Sequence, residues 1–170
     1  MDRLIVLKDL RKVYARGSQP VTALEKVNLT FKKGTLTAVT GPSGCGKSTL
    51  VNILGGLDRP SSGEIWINEE PAHHFPDAEW TARRRRQIGI VFQFFNLLPL
   101  LSAIENVALP LLLRGDTPNQ ARMKAEETLH LVGMSGRMGH LPHTLSGGEM
   151  QRVAIARAWA ISPQLLLADE

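Results

Sequence analysis

The sequence predicts an α/β fold, and three observations predict it. Residues 36–54 read as a strand, a glycine-rich loop and a helix in immediate succession. Short strand-like segments fill the first half, whereas helical spacing governs residues 117–161. An apolar stretch, Leu165-Leu166-Leu167-Ala168, then returns to strand character and runs into Asp169 and Glu170. Such interleaving suits a sheet covered by helices.

The elements follow in order. Residues 4–31 read as short strands, with Arg16-Gly17-Ser18-Gln19-Pro20 as turn chemistry between them. Leu36-Thr37-Ala38-Val39-Thr40 alternates apolar and polar, the period of a strand. Leu50-Val51-Asn52-Ile53-Leu54 begins a helix, Asp58 opens a loop that ends at Gly63, and residues 64–68 return to strand. Residues 73–77 read as irregular, residues 78–87 as an exposed helix, and residues 88–92 as a buried strand. Thr117, Pro118 and Gln120 hold the positions of an N-cap, a first helical residue and a capping box. Ala121, Ala125, Thr128, Leu129 and Val132 then keep helical spacing up to Gly133, a residue suited to a C-terminal cap. A further helix starts near Gly148, with Met150, Val153, Ala154, Ala158 and Ile161 on one face, and Ser162-Pro163 ends it.

At 170 residues and 43% hydrophobic content the chain is long enough to bury a core. Its most apolar stretch, residues 97–113, is broken by Pro99, Ser102, Glu105, Asn106 and Pro110, so no membrane span is expected. The apolar run after Met1-Asp2-Arg3 is too short for a secretory signal. One cysteine allows no internal disulfide, and the five histidines have no zinc-like spacing; these points favour the cytosol. The net charge of +4 is modest, and Arg83-Arg84-Arg85-Arg86 is the one dense basic run. It reads as a solvated helix face or, alternatively, as a contact for nucleic acid or lipid headgroups. Without interleaved aromatics it offers no stacking platform for a single strand.

The chemistry concentrates in three motifs. Gly41-Pro42-Ser43-Gly44-Cys45-Gly46-Lys47-Ser48-Thr49 fits the phosphate-loop pattern G-x-x-x-x-G-K-[ST] in the strand–loop–helix context that it requires. Glycines let successive backbone N–H groups curl around phosphate oxygens, and the following helix presents its positive end there. Lys47 adds a mobile charge for the β- and γ-phosphates, and Ser48 a hydroxyl for magnesium. At the other end of the chain, Asp169 and Glu170 close an apolar strand and point to opposite sides, one toward a metal and one toward an attacking water. Leu145-Ser146-Gly147-Gly148-Glu149 sets a hydroxyl and bare backbone at another helix start, a second arrangement suited to an anion.

These motifs, with Gln93 after its strand, carry a resemblance. In order and spacing the chain resembles the ATP-binding cassette (ABC) family over essentially its whole length. The resemblance implies one nucleotide-binding domain: a P-loop NTPase, RecA-like core, an N-terminal antiparallel β subdomain and an inserted helical subdomain at about residues 94–160. It implies ATP and Mg2+ as ligands. Tyr14 would stack on adenine, and residues 41–49 would hold the phosphates. Ser48, Gln93 and Asp169 would serve the metal, and Lys47, Gln93 and Glu170 the chemistry. Ser146, Gly147 and Gly148 would meet the γ-phosphate bound by a second, head-to-tail subunit. Transmembrane permease subunits are the further partners, which places the chain on the cytoplasmic face of the membrane; nucleic acid is not expected. The patterns at residues 56–63 and 106–111 resemble the lipoprotein-release and macrolide-export subgroup. Phe94-Phe95-Asn96-Leu97-Leu98-Pro99-Leu100 either meets a membrane subunit or packs within the helical subdomain.

Family members continue with a Pro-Thr turn, an aspartate loop, final core strands and a switch histidine, none of which lies in this sequence. The expectation is therefore an ATPase subunit of a transporter whose present chain binds nucleotide weakly and turns over little. The alternatives are a catalytically impaired nucleotide-binding fragment and a soluble, non-transport cassette ATPase. Cys45 offers a test, because it lies inside the loop: alkylating its thiol should block nucleotide binding, and prior ATP should slow the alkylation. Full alkylation with unchanged binding would contradict the placement.

Overall fold

A long antiparallel hairpin, not a series of short strands, opens the chain. The computed structural model describes residues 3–16 and 19–169. Strands β1 (Arg3–Arg16) and β2 (Gln19–Lys32) are 14 residues each and pair antiparallel. The sequence suggests several strands because the register slips, and Asp9 and Lys26 take φ of 47° and 48°. Such irregularities break the period-two pattern without ending the strand. The Asn28 side chain closes the gap, accepting from the Asp9 amide at 2.9 Å and donating to the Lys26 carbonyl at 3.1 Å.

After the hairpin come α1 (Lys47–Leu54), β3 (Ser62–Ile67) and β4 (Glu70–Pro71). The sheet has the order β2-β1-β3-β4 and is antiparallel throughout. Its inward residues Ile5, Leu7, Leu10, Leu24 and Ile65 are buried, as are Leu50, Ile53 and Leu54 of α1. Residues 36–40 do not form the expected strand: they are exposed, and Leu36 is fully so. Alternation alone does not make a strand; a ladder partner is needed, and no described strand pairs with this segment. Residues 73–77 also differ from expectation. A 3₁₀ turn, Ala72–His74, forms there, with His73 Nδ1 3.1 Å from the Ile65 carbonyl oxygen. Helix α2 (Asp77–Arg86) carries the arginine run; its one buried residue, Trp80, meets Phe75 edge-on at 5.7 Å.

The chain divides into two compact units, Met1–Trp80 and Thr81–Glu170. In the second, β5 (Ile88–Val91) and β6 (Leu165–Ala168) pair in parallel. Between them lie α3 (Ala103–Arg114), α4 (Pro118–Leu131) and α5 (Gly147–Ala160). Ser102, Thr117 and Ser146 each start one of these helices with a full capping box. The three helices share a core of small and medium apolar residues, including Ala103, Val107, Leu111, Ala121, Ala125, Leu129, Val153 and Ala156. At Gly89 a Cβ would lie 2.3 Å from the Ala158 carbonyl oxygen, so the absence of a side chain lets β5 lie against α5. Among the described residues no helix is long and apolar enough to cross a membrane.

One polar residue organises the loop before α3. Asn106 is 1% exposed. Its amide donates to the Leu98, Leu101 and Ser102 carbonyls, and its Oδ1 accepts from the Leu98 amide at 2.8 Å. Removing it strands buried backbone groups. Asn106→Ala is expected to lower the unfolding free energy by about 1–3 kcal/mol in urea titrations. Leu131→Ala, at a position 68% exposed, should change it by no more than about 0.5 kcal/mol.

Candidate functional site

The glycine loop is shaped by a close approach to β2. Gly46 caps α1 with φ 96°. A Cβ there would lie 2.4 Å from the Ala23 carbonyl oxygen, so only glycine suits both the conformation and the space. Unlike α3, α4 and α5, helix α1 has no capping box at its start, and its first turn holds no acidic residue. Its N-terminus keeps its partial positive charge for an anion from outside the chain. Lys47 Nζ folds back over the loop, donating to the Gly41 and Pro42 carbonyls at 2.9 and 3.0 Å. Among the described residues no carboxylate pairs with it. Ser43, Gly44, Cys45 and Ser48 are exposed around it and Thr49 is half-buried. An uncapped helix start beside an unneutralised ammonium fits a polyphosphate.

Tyr14 is part of a network that the sequence motifs do not reveal. Its Oη donates to Asp58 Oδ2 at 2.7 Å. Lys12 Nζ pairs with Asp58 Oδ1 and donates to the Arg59 carbonyl at 2.7 Å. The same ammonium lies 4.7 Å from the Tyr14 ring centroid, a cation–π distance. Thr49, on the first turn of α1, lies beside the phenol and opposes the rise in its pKa. Burial and the Asp58 carboxylate together raise the phenol above its ordinary range. Burial alone would raise Asp58 too, but bonds from Lys12, Tyr14 and the Arg59 amide outweigh it and hold the carboxyl below its ordinary range. The strand spacing of Lys12 and Tyr14 is a legible signal of a shared face; Asp58 lies in a loop with no marker of its role.

In the second unit, the parallel pair delivers two expected residues to one edge. Gln93 follows β5 and Asp169 follows β6, and the Asp169 amide donates to the Val91 carbonyl at 3.0 Å, carrying the ladder one step further. Glu170, the expected water-orienting base, lies outside the described residues. Ser146, Gly147 and Gly148 start α5. The Ser146 hydroxyl donates to Glu149 Oε2 at 2.8 Å and accepts from the Glu149 amide at 3.3 Å. Bonds from the Ser146 amide and hydroxyl, then Arg137, hold the Glu149 carboxyl below its ordinary range. Space over Gly147 is open: a Cβ there would have no neighbouring atom within 4 Å.

Arg157, which the sequence shows only as part of a motif, supports the turn after Gln93. Phe95 and Asn96 have φ of 60° and 48°, a strain of about 1–3 kcal/mol each. The Arg157 guanidinium donates to both their carbonyls, to Phe95 at 2.7 Å. Burial lowers its pKa from the ordinary value. The turn splits the aromatic segment: Phe95 and Leu97 pack inward, while Phe94 is 82% and Leu100 89% exposed.

A glycine loop opening an uncapped helix in the first unit, and an acid-ending strand in a parallel pair in the second, are two parts of a P-loop α/β protein, although the strand expected before the loop does not form. Comparison narrows the class. Residues 24–170 match the family model described as ABC transporter. The chain is 44% identical over 169 residues to the lipoprotein-releasing system ATP-binding protein LolD of Idiomarina loihiensis, across 99% of this chain and 74% of that one. Against LolD of Geobacter metallireducens the identity is 48% over 170 residues, across 100% and 76%. Among solved structures, it resembles the ATP-binding cassette MJ0796 in a dimeric, post-hydrolysis state bound to ADP and Pi. The TM-score is 0.94 and the identity 44%, across 98% of this chain and 74% of that one. MJ0796 is a protein of Methanocaldococcus jannaschii. The chain belongs to the ABC transporter family.

The Asp58 network predicts a pH signature. A carboxyl held below its ordinary range stabilises the fold while ionised, and that contribution is lost as pH falls through the lowered pKa. The stability advantage of the unsubstituted chain over Asp58→Asn should be constant above about pH 5 and shrink progressively below it. Paired urea titrations across that range measure it.

Proposed function

We propose that this chain is the ATP-binding and ATP-hydrolysing subunit of a transporter, acting as a head-to-tail pair beneath membrane partner subunits. The observation that carries the reading is helix α1, which starts without a cap of its own and with the Lys47 ammonium against its loop. Residues 41–49 would wrap the triphosphate, and Lys47 would exchange two neutral carbonyls for the β- and γ-phosphates. Tyr14 would stack on the base. Ser48, Gln93 and Asp169 would hold Mg2+, which supplies charge neutralisation on the phosphates. Glu170 would orient a water and accept its proton. Ser146, Gly147 and Gly148 of a second copy would close over the γ-phosphate. On this reading the whole chain is one nucleotide-binding domain, with a helical subdomain at about residues 94–160.

Support for pairing comes from MJ0796, whose structure is dimeric with ADP and Pi. Support for export comes from the LolD relatives, which bear the name of a lipoprotein-releasing system. The exposed Phe94, Leu98 and Leu100, presented on the strained turn after Gln93, suit an apolar helix of a membrane partner. That partnership would hold the subunit at the cytoplasmic face of the membrane.

Calorimetric titration of Mg-ATP tests the carrying observation. Lys47→Ala should weaken binding at least tenfold, about 1.4 kcal/mol, with an unchanged circular dichroism spectrum. Equal affinity for the two chains would contradict the reading.

A further inference from the structure

We propose that Asp58 is a positioning residue for nucleobase stacking: it fixes the Tyr14 ring through its hydroxyl, while Lys12 covers one face of that ring. The inference rests on the ATP-binding reading and deepens it. Each contact has a consequence. The phenol is held at its tip by Asp58 at 2.7 Å. The carboxylate doing the holding is itself fixed, since Lys12 and the Arg59 amide both donate to its other oxygen. The ion pair is no loose surface contact, because the two side chains are only 12% and 28% exposed. The loop after α1 is sewn to β1 as well: the Ser61 amide donates to the Arg11 carbonyl at 2.8 Å, and the Val13 amide donates to Ser61 Oγ at 3.0 Å.

A ring so held has lost its rotational freedom before any ligand arrives, so a base stacking on it loses less entropy. The ammonium lies over one face, so on this proposal the base takes the opposite one. The phenol's one proton is given to Asp58, so the hydroxyl has no donor left to read a base edge. This platform therefore favours any flat base over none, and does not separate adenine from guanine. Thr49, beside the phenol, belongs to the phosphate loop, so one short helix ties the base platform to the phosphate cradle.

The experiment titrates the full chain, Asp58→Ala, Tyr14→Phe and the double variant with Mg-ATP, Mg-GTP and Mg-tripolyphosphate. Each single variant should lose about fivefold in affinity for both nucleotides, and by a similar factor, while tripolyphosphate binding changes by less than about twofold. The double variant should be no weaker than the singles, since both remove one interaction. A role in folding alone would lower all three affinities together; that result, or unchanged nucleotide affinity in the variants, overturns the proposal. Tyr14→Phe keeps the ring and the packing, so it decides the question if Asp58→Ala does not fold. An unsubstituted chain that binds none of the three ligands would overturn the ATP-binding reading itself. One that binds all three while the variants match it would overturn only the role of Asp58.

Discussion

The Gly46 backbone passes so close to β2 that one added carbon would meet the Ala23 oxygen at 2.4 Å. That approach sets where α1 begins, and the rest of the site follows from its beginning. The left-handed glycine carries no side chain with which to cap the helix, so the positive end stays available. Lys47, the first residue of the helix, curls over the loop. Thr49, two residues on, lies beside the Tyr14 phenol, and the loop leaving the helix brings Asp58 to the same group. At about 1.5 Å of rise per residue, the eight residues of α1 span only about 12 Å. A short helix thus links the glycine loop with the Tyr14 network.

The second unit shows the opposite treatment of helix starts. Its three long helices satisfy their own N-termini with capping boxes, including α5, which Ser146 caps. Ser146 therefore has partners of its own, and a phosphate would have to share its hydroxyl with the Glu149 amide and carboxylate. Helix α5 serves a mechanical purpose too. Gly89 admits it against β5, and Arg157 extends from it to hold the strained turn that follows Gln93.

Much of this is legible in the sequence, and the remainder is not for identifiable reasons. Short-range rules work well: Thr117, Pro118 and Gln120 build the expected cap, Ala121, Ala125, Thr128 and Leu129 are buried, and residues 165–168 form a strand ending at Asp169. Each of those depends on neighbours a few positions away. The strand expected at residues 36–40 needs a partner from elsewhere, which no local pattern supplies. The long hairpin is hidden by its own register slips. The roles of Asp58 and Arg157 escape a sequence reading because their partners stand 44 and 61 or more positions away. Nothing in a window around either residue encodes such a bond.

The central claim is that the start of α1 is the place where this chain meets a polyphosphate. Backbone amide chemical shifts during a titration with Mg-ATP test it most directly. The largest changes should fall on the amides of Gly44, Cys45, Gly46, Lys47 and Ser48, with smaller changes at Thr49. Saturable binding with its largest changes elsewhere, and none in that loop, would contradict it.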